Sequence, residues 1–287
     1  MKLGFTNGQQ FKSKVRMLAR QKHVNPQLLM QEVVLDEVAD RIAHSRYRHN
    51  LILKGDFLIA SMLGVDTRST RDIDTAVKGL PVSRGEVQKV FTEILNASKP
   101  DDDIIIRIVK IDDIRVGADY AGFRVHLHAD IYASEVEAKI DVSTGDTITP
   151  REVSWHHHTI FNNQDILVMA YNVETILAEK LESMVARKDL NTRLKDYYDL
   201  YLFDKTQIQN IDFKTLHLAI LATSKVRGTS TLVGSYVSII EELSVNDTLK
   251  KLWHRYHDKN EYAQGIKYEA TCYAAIDLVK RSKIDVS

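Results

Sequence analysis

The chain has 287 residues, enough for one large domain or two smaller ones with buried cores. Lys and Arg together number 39, as do Asp and Glu, and the resulting net charge of zero excludes a protein that coats nucleic acid through uniform positive charge. Cys272 is the only cysteine, which excludes a disulfide within the chain and favours a reducing compartment. No signal peptide or apolar run of membrane-spanning length is present. We therefore expect a soluble, cytoplasmic protein without a membrane partner.

The first elements of the chain are predicted to be two helices followed by a strand, a helix and a second strand. Apolar residues recur at helical spacing through residues 8–45, and Asn25-Pro26 is typical of the start of the second helix. A β-branched run from Leu51 ends at Gly55, and a short apolar helix is expected next. A polar segment then leads to a strand that begins at Asp72 and ends near Val77.

Asp72 and Asp74 are the first candidate site residues. On a strand, alternate residues share a face, so both carboxylates are expected to point the same way, with Ile73 facing the core. Two adjacent carboxylates repel each other unless a cation lies between them, and a divalent metal is the usual solution in proteins. The alternative is a solvated strand face, because acidic pairs at this spacing are common there.

Three more strands are predicted at 104–111, 123–132 and 138–142, where β-branched or alternating residues are separated by polar turns. Their short connections predict an antiparallel meander joined to the first two strands. Asp141 lies between two apolar residues of the last strand and is expected on the face opposite to them. It is therefore either an exposed strand carboxylate or a third acidic residue near the Asp pair.

Two further polar clusters are more simply explained by local structure than by metal binding. Residues 101–103 are consecutive aspartates, which do not converge on one ion outside a special loop, so a polar turn is expected. Residues 156–158 are histidines that alternate faces on a half-exposed strand. Residues 147–161 are expected to close the β-rich part, and the pattern is read as helical from Gln164. We therefore predict one domain at 1–163 and a helical domain at 164–287.

Lys180 and Asp196 lie on helix faces where a charge is costly. Asn172 is expected to cap a helix in which Lys180 shares the apolar side with Leu177 and Met184. An ammonium in that position requires an anion, either a carboxylate of the protein or a nucleotide phosphate. Asp196 shares a face with apolar residues of the next helix, so it either supports Lys180 or Arg193, or takes part in a site.

The remaining sequence is predicted to be helical, in four stretches at 213–225, 235–243, 247–257 and 266–282. Basic residues in this part, such as Lys250 and Arg255, are typical of a solvated helix face. Contact with an RNA backbone is the alternative for some of them.

Four segments together resemble the AbiEii-type toxin nucleotidyltransferases, a family related to the MenT toxins and to polymerase-β-like nucleotidyltransferases. They occur in the order expected for that family and span about residues 50–203. The segments are Leu53-Lys-Gly55, Arg68-Ser-Thr-Arg-Asp72-Ile-Asp74, Ala178-Glu-Lys180-Leu and Asn191-Thr-Arg193-Leu-Lys195-Asp196-Tyr-Tyr-Asp199-Leu.

The resemblance implies an α+β protein with a mixed β-sheet nucleotidyltransferase lobe flanked by helices, an all-helical C-terminal lobe and a nucleotide bound between them. It also implies Mg²⁺, with one or two ions in the site, an NTP donor and an RNA acceptor, the 3′ end of tRNA in characterised relatives. Proteins of this kind are toxins of toxin–antitoxin systems that act in growth arrest or abortive phage infection. A separately encoded antitoxin is therefore the expected protein partner.

The resemblance also assigns roles to individual residues. Asp72 and Asp74 become metal ligands, Lys180 a triphosphate contact and Asp196 an essential carboxylate. Asp141 would help to deprotonate an attacking hydroxyl. The other nucleotide-binding positions that the resemblance implies are Lys54, Gly55, Asp56, Arg68 and Arg193.

Asp56 departs from the family pattern. Relatives usually have a second glycine or a serine after the first glycine, whereas a carboxylate here adds bulk and repulsion where a phosphate should approach. Three interpretations stay open: Mg²⁺ offsets the charge, nucleotide binding is weakened, or this copy is inactive. The alternatives to transfer onto RNA are a non-catalytic NTP-binding module that acts through a protein partner, and nucleotide transfer to a protein.

Overall fold

The computed structural model describes residues 2–64, 72–96, 102–114, 122–162 and 164–284. The chain divides into two compact units, of which the first combines Met1–Gly145 with Val153–Ala170 and the second Asp146–Glu152 with Tyr171–Ser287. Within the described residues there are a seven-stranded mixed sheet and ten α-helices. The expected α+β fold is thereby confirmed.

The sheet belongs to the first unit and has the strand order β3-β4-β5-β2-β1-β7-β6. Strands β3, β4 and β5 form the expected antiparallel meander, and β5 continues it by pairing in parallel with β2. The next strand, β1, is antiparallel to β2 and parallel to β7. The strands are β1 (Leu51–Lys54), β2 (Asp72–Val77), β3 (Ile104–Ile114), β4 (Gly122–Ile131), β5 (Ser134–Ser143), β6 (Val153–His158) and β7 (Asp165–Ala170).

Four helices of the first unit are described. In the second of them, Asn25 caps the N-terminus by accepting a hydrogen bond from the backbone N–H of Gln27, with Pro26 as the first helical residue. This helix also buries the ion pair of Glu37 and Arg41, in which Nε donates to Oε1 at 2.6 Å. The helices are α1 (Gly8–Gln21), α2 (Pro26–His44), α3 (Gly55–Leu63) and α4 (Arg84–Asn96).

The prediction that the chain becomes helical from Gln164 is wrong for β7. Ile166, Val168 and Ala170 are buried at every second position, which is the period of a strand. A strand of six residues that is mostly apolar cannot be separated from a helical segment by periodicity alone. The sheet therefore continues beyond residue 163, where the sequence placed the domain boundary.

The second unit is helical in its described part, and the four predicted C-terminal stretches are confirmed as helices. The side chains of Asn172, Asp212 and Asn246 cap α5, α7 and α9 by accepting backbone hydrogen bonds. Among the described residues, no helix has the length and apolar character needed to cross a membrane. The helices are α5 (Val173–Arg187), α6 (Leu194–Thr206), α7 (Phe213–Val226), α8 (Tyr236–Ser244), α9 (Asp247–Lys259) and α10 (Tyr268–Ser282).

Candidate active site

The turn between β1 and α3 brings the chain backbone against the carboxylate of Asp74. Gly55, the first residue of α3, has a φ of +64°, in the region that favours glycine. A Cβ atom placed on it would lie 2.7 Å from the Cγ atom of Asp74, which is much closer than two carbon atoms pack. The glycine is therefore required both for the direction of the chain and for the space that Asp74 occupies.

Strand pairing aligns four charged residues across the sheet. Asp74 is the Cα partner of Lys54 on β1 and of Asp141 on β5, and Asp141 is in turn the partner of Arg124 on β4. Directly paired residues on adjacent strands point to the same face, so these side chains form a row in the order Arg124, Asp141, Asp74, Lys54. Asp72 shares this face because it lies two residues before Asp74, while Ile73 is fully buried on the other side.

The pKa of Asp74 is raised from 3.8 to about 7. Burial of the carboxyl group is the main cause, because desolvation disfavours its charged form. The negative charges of Asp72 and Asp56 add to the effect, and the positive charge of Lys54 opposes it. A large share of Asp74 is therefore protonated near neutral pH, and a cation bound there would favour the ionised form instead.

Arg124 binds both oxygens of Asp141. Its Nε donates to Oδ1 at 2.7 Å and its Nη2 donates to Oδ2 at 2.6 Å, so the pair is bidentate. The hydrogen bonds to Asp141 raise the pKa of Arg124, and the charges of Asp72 and Asp74 act in the same direction. Arg124 is not among the site residues predicted from the sequence. The available signal was the alternation of β4, which places Arg124 on the polar face.

Asp56 lies in the first turn of α3 and is half-buried. A carboxylate is favourable at the N-terminus of a helix, because the helix dipole is positive there. The same carboxylate lies near enough to Asp74 to raise its pKa. Asp56 therefore stabilises the helix locally and adds negative charge to a site that is already acidic.

The composition of this cluster fits a divalent cation. Asp74 interacts electrostatically with the carboxylates of Asp56, Asp72 and Asp141 and with the ammonium of Lys54, and Arg124 interacts with Asp72, Asp74 and Asp141. Carboxylate oxygens are the ligands that Mg²⁺ prefers, and the burial of Asp74 makes a bound cation favourable. Asp72 and Asp74 are the residues best suited to hold it, since both oxygens of Asp141 are bound to Arg124.

In the described part of the chain, the side chains whose ligand atoms lie close enough together to hold a metal ion form a different group from the Asp row. His128, Asp130 and Glu135 lie at one end of β4 and β5, with a ligand atom from each within 4.8 Å of the others. Arg107 already binds Asp130, with Nη1 at 2.7 Å from Oδ2. Asp130 is thus already paired with a cation, whereas the buried carboxylate of Asp74 lies near those of Asp56, Asp72 and Asp141.

The second unit holds Lys180 between two carboxylates. Its Nζ lies 2.6 Å from Oδ1 of Asp196 and 2.7 Å from Oδ2 of Asp199. Lys180 is 9% exposed and Asp199 is fully buried, so the ammonium has the anion that its position requires. Asp196, but not Asp199, is predicted from the sequence as a partner of Lys180, although Asp199 is one helical turn further on. Arg193 is exposed just before α6.

The structure thus brings together six of the residues that the sequence singled out, all of them in the first unit: Lys54, Gly55, Asp56, Asp72, Asp74 and Asp141. In the second unit Lys180 and Asp196 are joined as an ion pair. The predicted phosphate contact Arg68 lies outside the described residues.

Two crystal structures from Helicobacter pylori share this fold. One, described as a candidate nucleotidyltransferase, has a TM-score of 0.53 and 12% sequence identity, and the match covers 90% of this chain and 95% of that chain. The other, JHP933, has the same TM-score and identity and covers 89% of this chain and 91% of that chain. No protein among the curated ones matches the chain. The fold is that of nucleotidyltransferase-like proteins.

The sequence itself specifies the family within this class of fold. Residues 38–271 match the nucleotidyl transferase AbiEii toxin family, which is a family of type IV toxin–antitoxin systems. The match spans most of the chain and includes every residue of the site described above. The chain belongs to this family.

Proposed function

We propose that this protein is an Mg²⁺-dependent nucleotidyltransferase that moves a nucleotide from an NTP to RNA, with the 3′ end of tRNA as the acceptor. The observation that supports it best is the row of Lys54, Asp74 and Asp141 on three adjacent strands beside the turn at Gly55. The toxin family supports growth arrest as the outcome and an antitoxin as the partner. Both substrates are cytoplasmic, and the protein is proposed to act there.

Asp72 and Asp74 are the proposed ligands of Mg²⁺. When bound, the cation would supply charge neutralisation for the triphosphate and for the oxygens between which the nucleotide moves. The burial of Asp74 and its raised pKa support this assignment, because desolvation disfavours the ionised form and a bound cation would favour it.

Lys54 and Gly55 are proposed to bind the nucleotide phosphates. Lys54 brings a positive charge to the same face as the Asp row, and Gly55 begins α3, so the positive end of the helix dipole lies there. Asp141 is proposed to accept the proton of the attacking RNA hydroxyl. That role requires Arg124 to release at least one of the two carboxylate oxygens that it now binds.

Lys180, Asp196 and Arg193 are proposed to contribute from the second unit. Lys180 is assigned to the triphosphate and Asp196 to an essential carboxylate. The buried ion pairs of Lys180 support a fixed position for its ammonium group. Arg68 keeps its proposed role as a phosphate contact on the ground of the family motif alone.

The test is incubation of the purified protein with Mg²⁺, each labelled NTP and total tRNA. We expect labelled RNA with the wild type and a loss of about 100-fold or more with Asp74→Asn, the usual cost of removing an electrostatic contact to the transition state. Asp130→Asn is the matched control, because it removes one carboxylate from the same sheet outside the site. If neither the wild type nor Asp56→Gly labels RNA while both are folded, the proposal is overturned.

A second candidate function is NTP binding without turnover, with the effect exerted through a protein partner. The carboxylate of Asp56 favours it, because this group adds repulsion close to Asp74. Calorimetry would then detect NTP binding to the wild type, while Asp56→Gly alone would label RNA. Absence of NTP binding overturns this alternative. Label that appears on protein instead of RNA identifies transfer to a protein hydroxyl as the reaction.

A further inference from the structure

The ion pair with Arg124 engages the carboxylate of Asp141, which the proposed reaction needs for another role. Asp141 points to the same face as Asp74, its partner on the adjacent strand, so it is well placed to serve a metal or a hydroxyl. Both of its oxygens instead accept hydrogen bonds from Arg124. While this pair persists, Asp141 is not available for either role.

Arg124 could bind a phosphate group with the same two-bond geometry that it uses to bind the carboxylate of Asp141. The planar guanidinium of arginine presents two parallel N–H groups, and these match the oxygens of a carboxylate and of a phosphate alike. Arg124 makes this two-bond contact with Asp141 through Nε and Nη2. A triphosphate near the site would therefore compete with Asp141 for the same donors.

The position of Arg124 allows an exchange of partners. Its side chain is 34% exposed, whereas that of Asp141 is 14% exposed, so the guanidinium lies on the open side of the pair. An ion pair that is partly exposed is weak enough to break when a more highly charged anion arrives. Arg124 is two strands from Asp74, a distance of about 10 Å at the usual strand spacing, which a long and flexible side chain can largely span.

We propose that Arg124 is a triphosphate-binding residue that is held by Asp141 until the nucleotide arrives, and that its transfer to the triphosphate releases Asp141 for the reaction. Nucleotide binding and exposure of the third carboxylate are then one event. This inference rests on the proposed function, since it assumes that an NTP is the substrate. It assigns a role to a residue outside the four segments that carry the family resemblance.

The test measures two binding reactions that involve no catalysis. One is the binding of inorganic triphosphate without metal, followed by calorimetry, and the other is the binding of Mn²⁺ without phosphate, followed by electron paramagnetic resonance. Arg124→Gln should weaken triphosphate binding about tenfold, the effect of one charge-assisted hydrogen bond. The same variant should strengthen Mn²⁺ binding, because Asp141 is released. Arg46→Gln is the matched control, since it breaks an ion pair with Glu93 in the same unit, away from the Asp row, and should change neither affinity.

Asp141→Asn separates partner exchange from a general effect of charge. It should strengthen triphosphate binding in the wild-type background, because Arg124 is released, and this increase should shrink to that of a charge change alone when Arg124→Gln is also present. Asp72→Asn removes the same charge from the same face but leaves the ion pair of Arg124 and Asp141 intact. The increase in triphosphate affinity that it causes should therefore persist in the Arg124→Gln background. Arg124→Lys keeps the charge but lacks the two-bond geometry, so it should change both affinities in the same direction as Arg124→Gln but by less. Circular dichroism verifies that each variant is folded.

The inference is overturned if Asp141→Asn strengthens triphosphate binding by the same factor with and without Arg124, or if Arg124→Gln leaves Mn²⁺ binding unchanged or weaker. Absence of both binding reactions in the wild type overturns it as well. If the binding results are as expected but no RNA is labelled, the proposed transfer fails and the exchange of partners stands. If RNA is labelled but the binding results contradict the exchange, only the inference fails.

Discussion

Gly55 and Asp74 are matched to each other: the glycine has no side chain at the one place where the carboxylate of Asp74 needs room. A Cβ on residue 55 would lie 2.7 Å from Cγ and 2.8 Å from Cβ of Asp74. The carboxylate of Asp74 is thereby held against the backbone at the start of α3.

Gly55→Ala should therefore lower both stability and nucleotide binding. The left-handed conformation costs about 1–2 kcal/mol for an alanine, and displacement of Asp74 adds to that cost. Gly85→Ala is the matched control, because this glycine lies in α4 without a positive φ and with open space around its Cβ position. Thermal unfolding should give a lower melting temperature for Gly55→Ala and an equal or higher one for Gly85→Ala. An unchanged melting temperature for Gly55→Ala would contradict the geometry of this turn.

The burial of Asp74 predicts an unusual pH dependence of stability in buffer without divalent cations. Its folded-state pKa, about 7, lies above the ordinary value of 3.8, so the folded protein binds this proton more tightly than the unfolded chain does. The resulting contribution to stability is complete below about pH 4 and is lost as the pH rises through about 7. At ~1.4 kcal/mol per pKa unit, the full effect is about 4 kcal/mol.

Denaturant unfolding between pH 4 and pH 8 measures this dependence. The free energy of unfolding of the wild type should fall more steeply with pH than that of Asp74→Asn, and the difference should shrink when Mg²⁺ is added. Asp130→Asn is the control in the same sheet, because Arg107 lowers the pKa of that carboxyl instead of raising it. Parallel curves for the wild type and Asp74→Asn would show that Asp74 is not desolvated.

The sequence predicts the acidic face but not the basic residue that completes it. Alternation along a strand is a local property, and for that reason Asp72, Asp74 and Asp141 could be placed on their faces from the sequence alone. The contact of Arg124 with Asp141 depends on the register between β4 and β5, and a slip of one residue would move Arg124 to the other face. The sequence does not fix that register.

In the helical unit, the sequence predicts that Lys180 and Asp196 are buried charges but not all of their partners. The spacing of Lys180 and Asp196 predicts that both charges lie on faces packed against protein. It does not predict which carboxylate meets which ammonium, because that depends on how α5 and α6 pack together. Asp199 was missed for this reason, although it is the more deeply buried partner of Lys180. The strand β7 was missed because its alternation is short and mostly apolar.

The three consecutive histidines of β6 should differ sharply in their contribution to stability. His157 is 4% exposed and connects α2 to α3, with Nε2 at 2.7 Å from Oδ1 of Asp36 and Nδ1 at 2.8 Å from Oγ of Ser61. His157→Ala should cost about 3 kcal/mol, because Oδ1 of the buried Asp36 loses its hydrogen bond, while Oδ2 keeps the one from the backbone N–H of Ile160. His156→Ala should stay within about 0.5 kcal/mol, since that side chain is mostly exposed.

Denaturant unfolding of the two histidine variants checks this prediction. The site should respond as well, because Ser61 lies on α3, the helix that begins at Gly55. In His157→Ala, the affinity for inorganic triphosphate should therefore fall at a temperature where the variant is still folded. Equal stability of the two variants would mean that the contacts of His157 contribute little to the fold.

Substitution of the two carboxylates that bind Lys180 should have different effects on stability and on activity. Asp199 is fully buried, so Asp199→Asn removes charge from the interior and leaves the ammonium of Lys180 with one partner fewer. We expect it to cost about 3 kcal/mol or more, as for other broken buried pairs. Asp196 has a side chain that is 15% exposed, and Asp196→Asn should cost about 1–2 kcal/mol, the range for a hydrogen bond to a charged group.

Activity should follow the opposite order if Asp196 is the essential carboxylate. In the RNA-labelling assay, at a temperature where both variants are folded, Asp196→Asn should lose more activity than Asp199→Asn although it is the more stable protein. Lys225→Ala, which changes an exposed lysine of α7, is the control for both measurements. If the loss of activity in the two variants simply follows their loss of stability, Asp196 supports Lys180 structurally and has no separate part in the reaction.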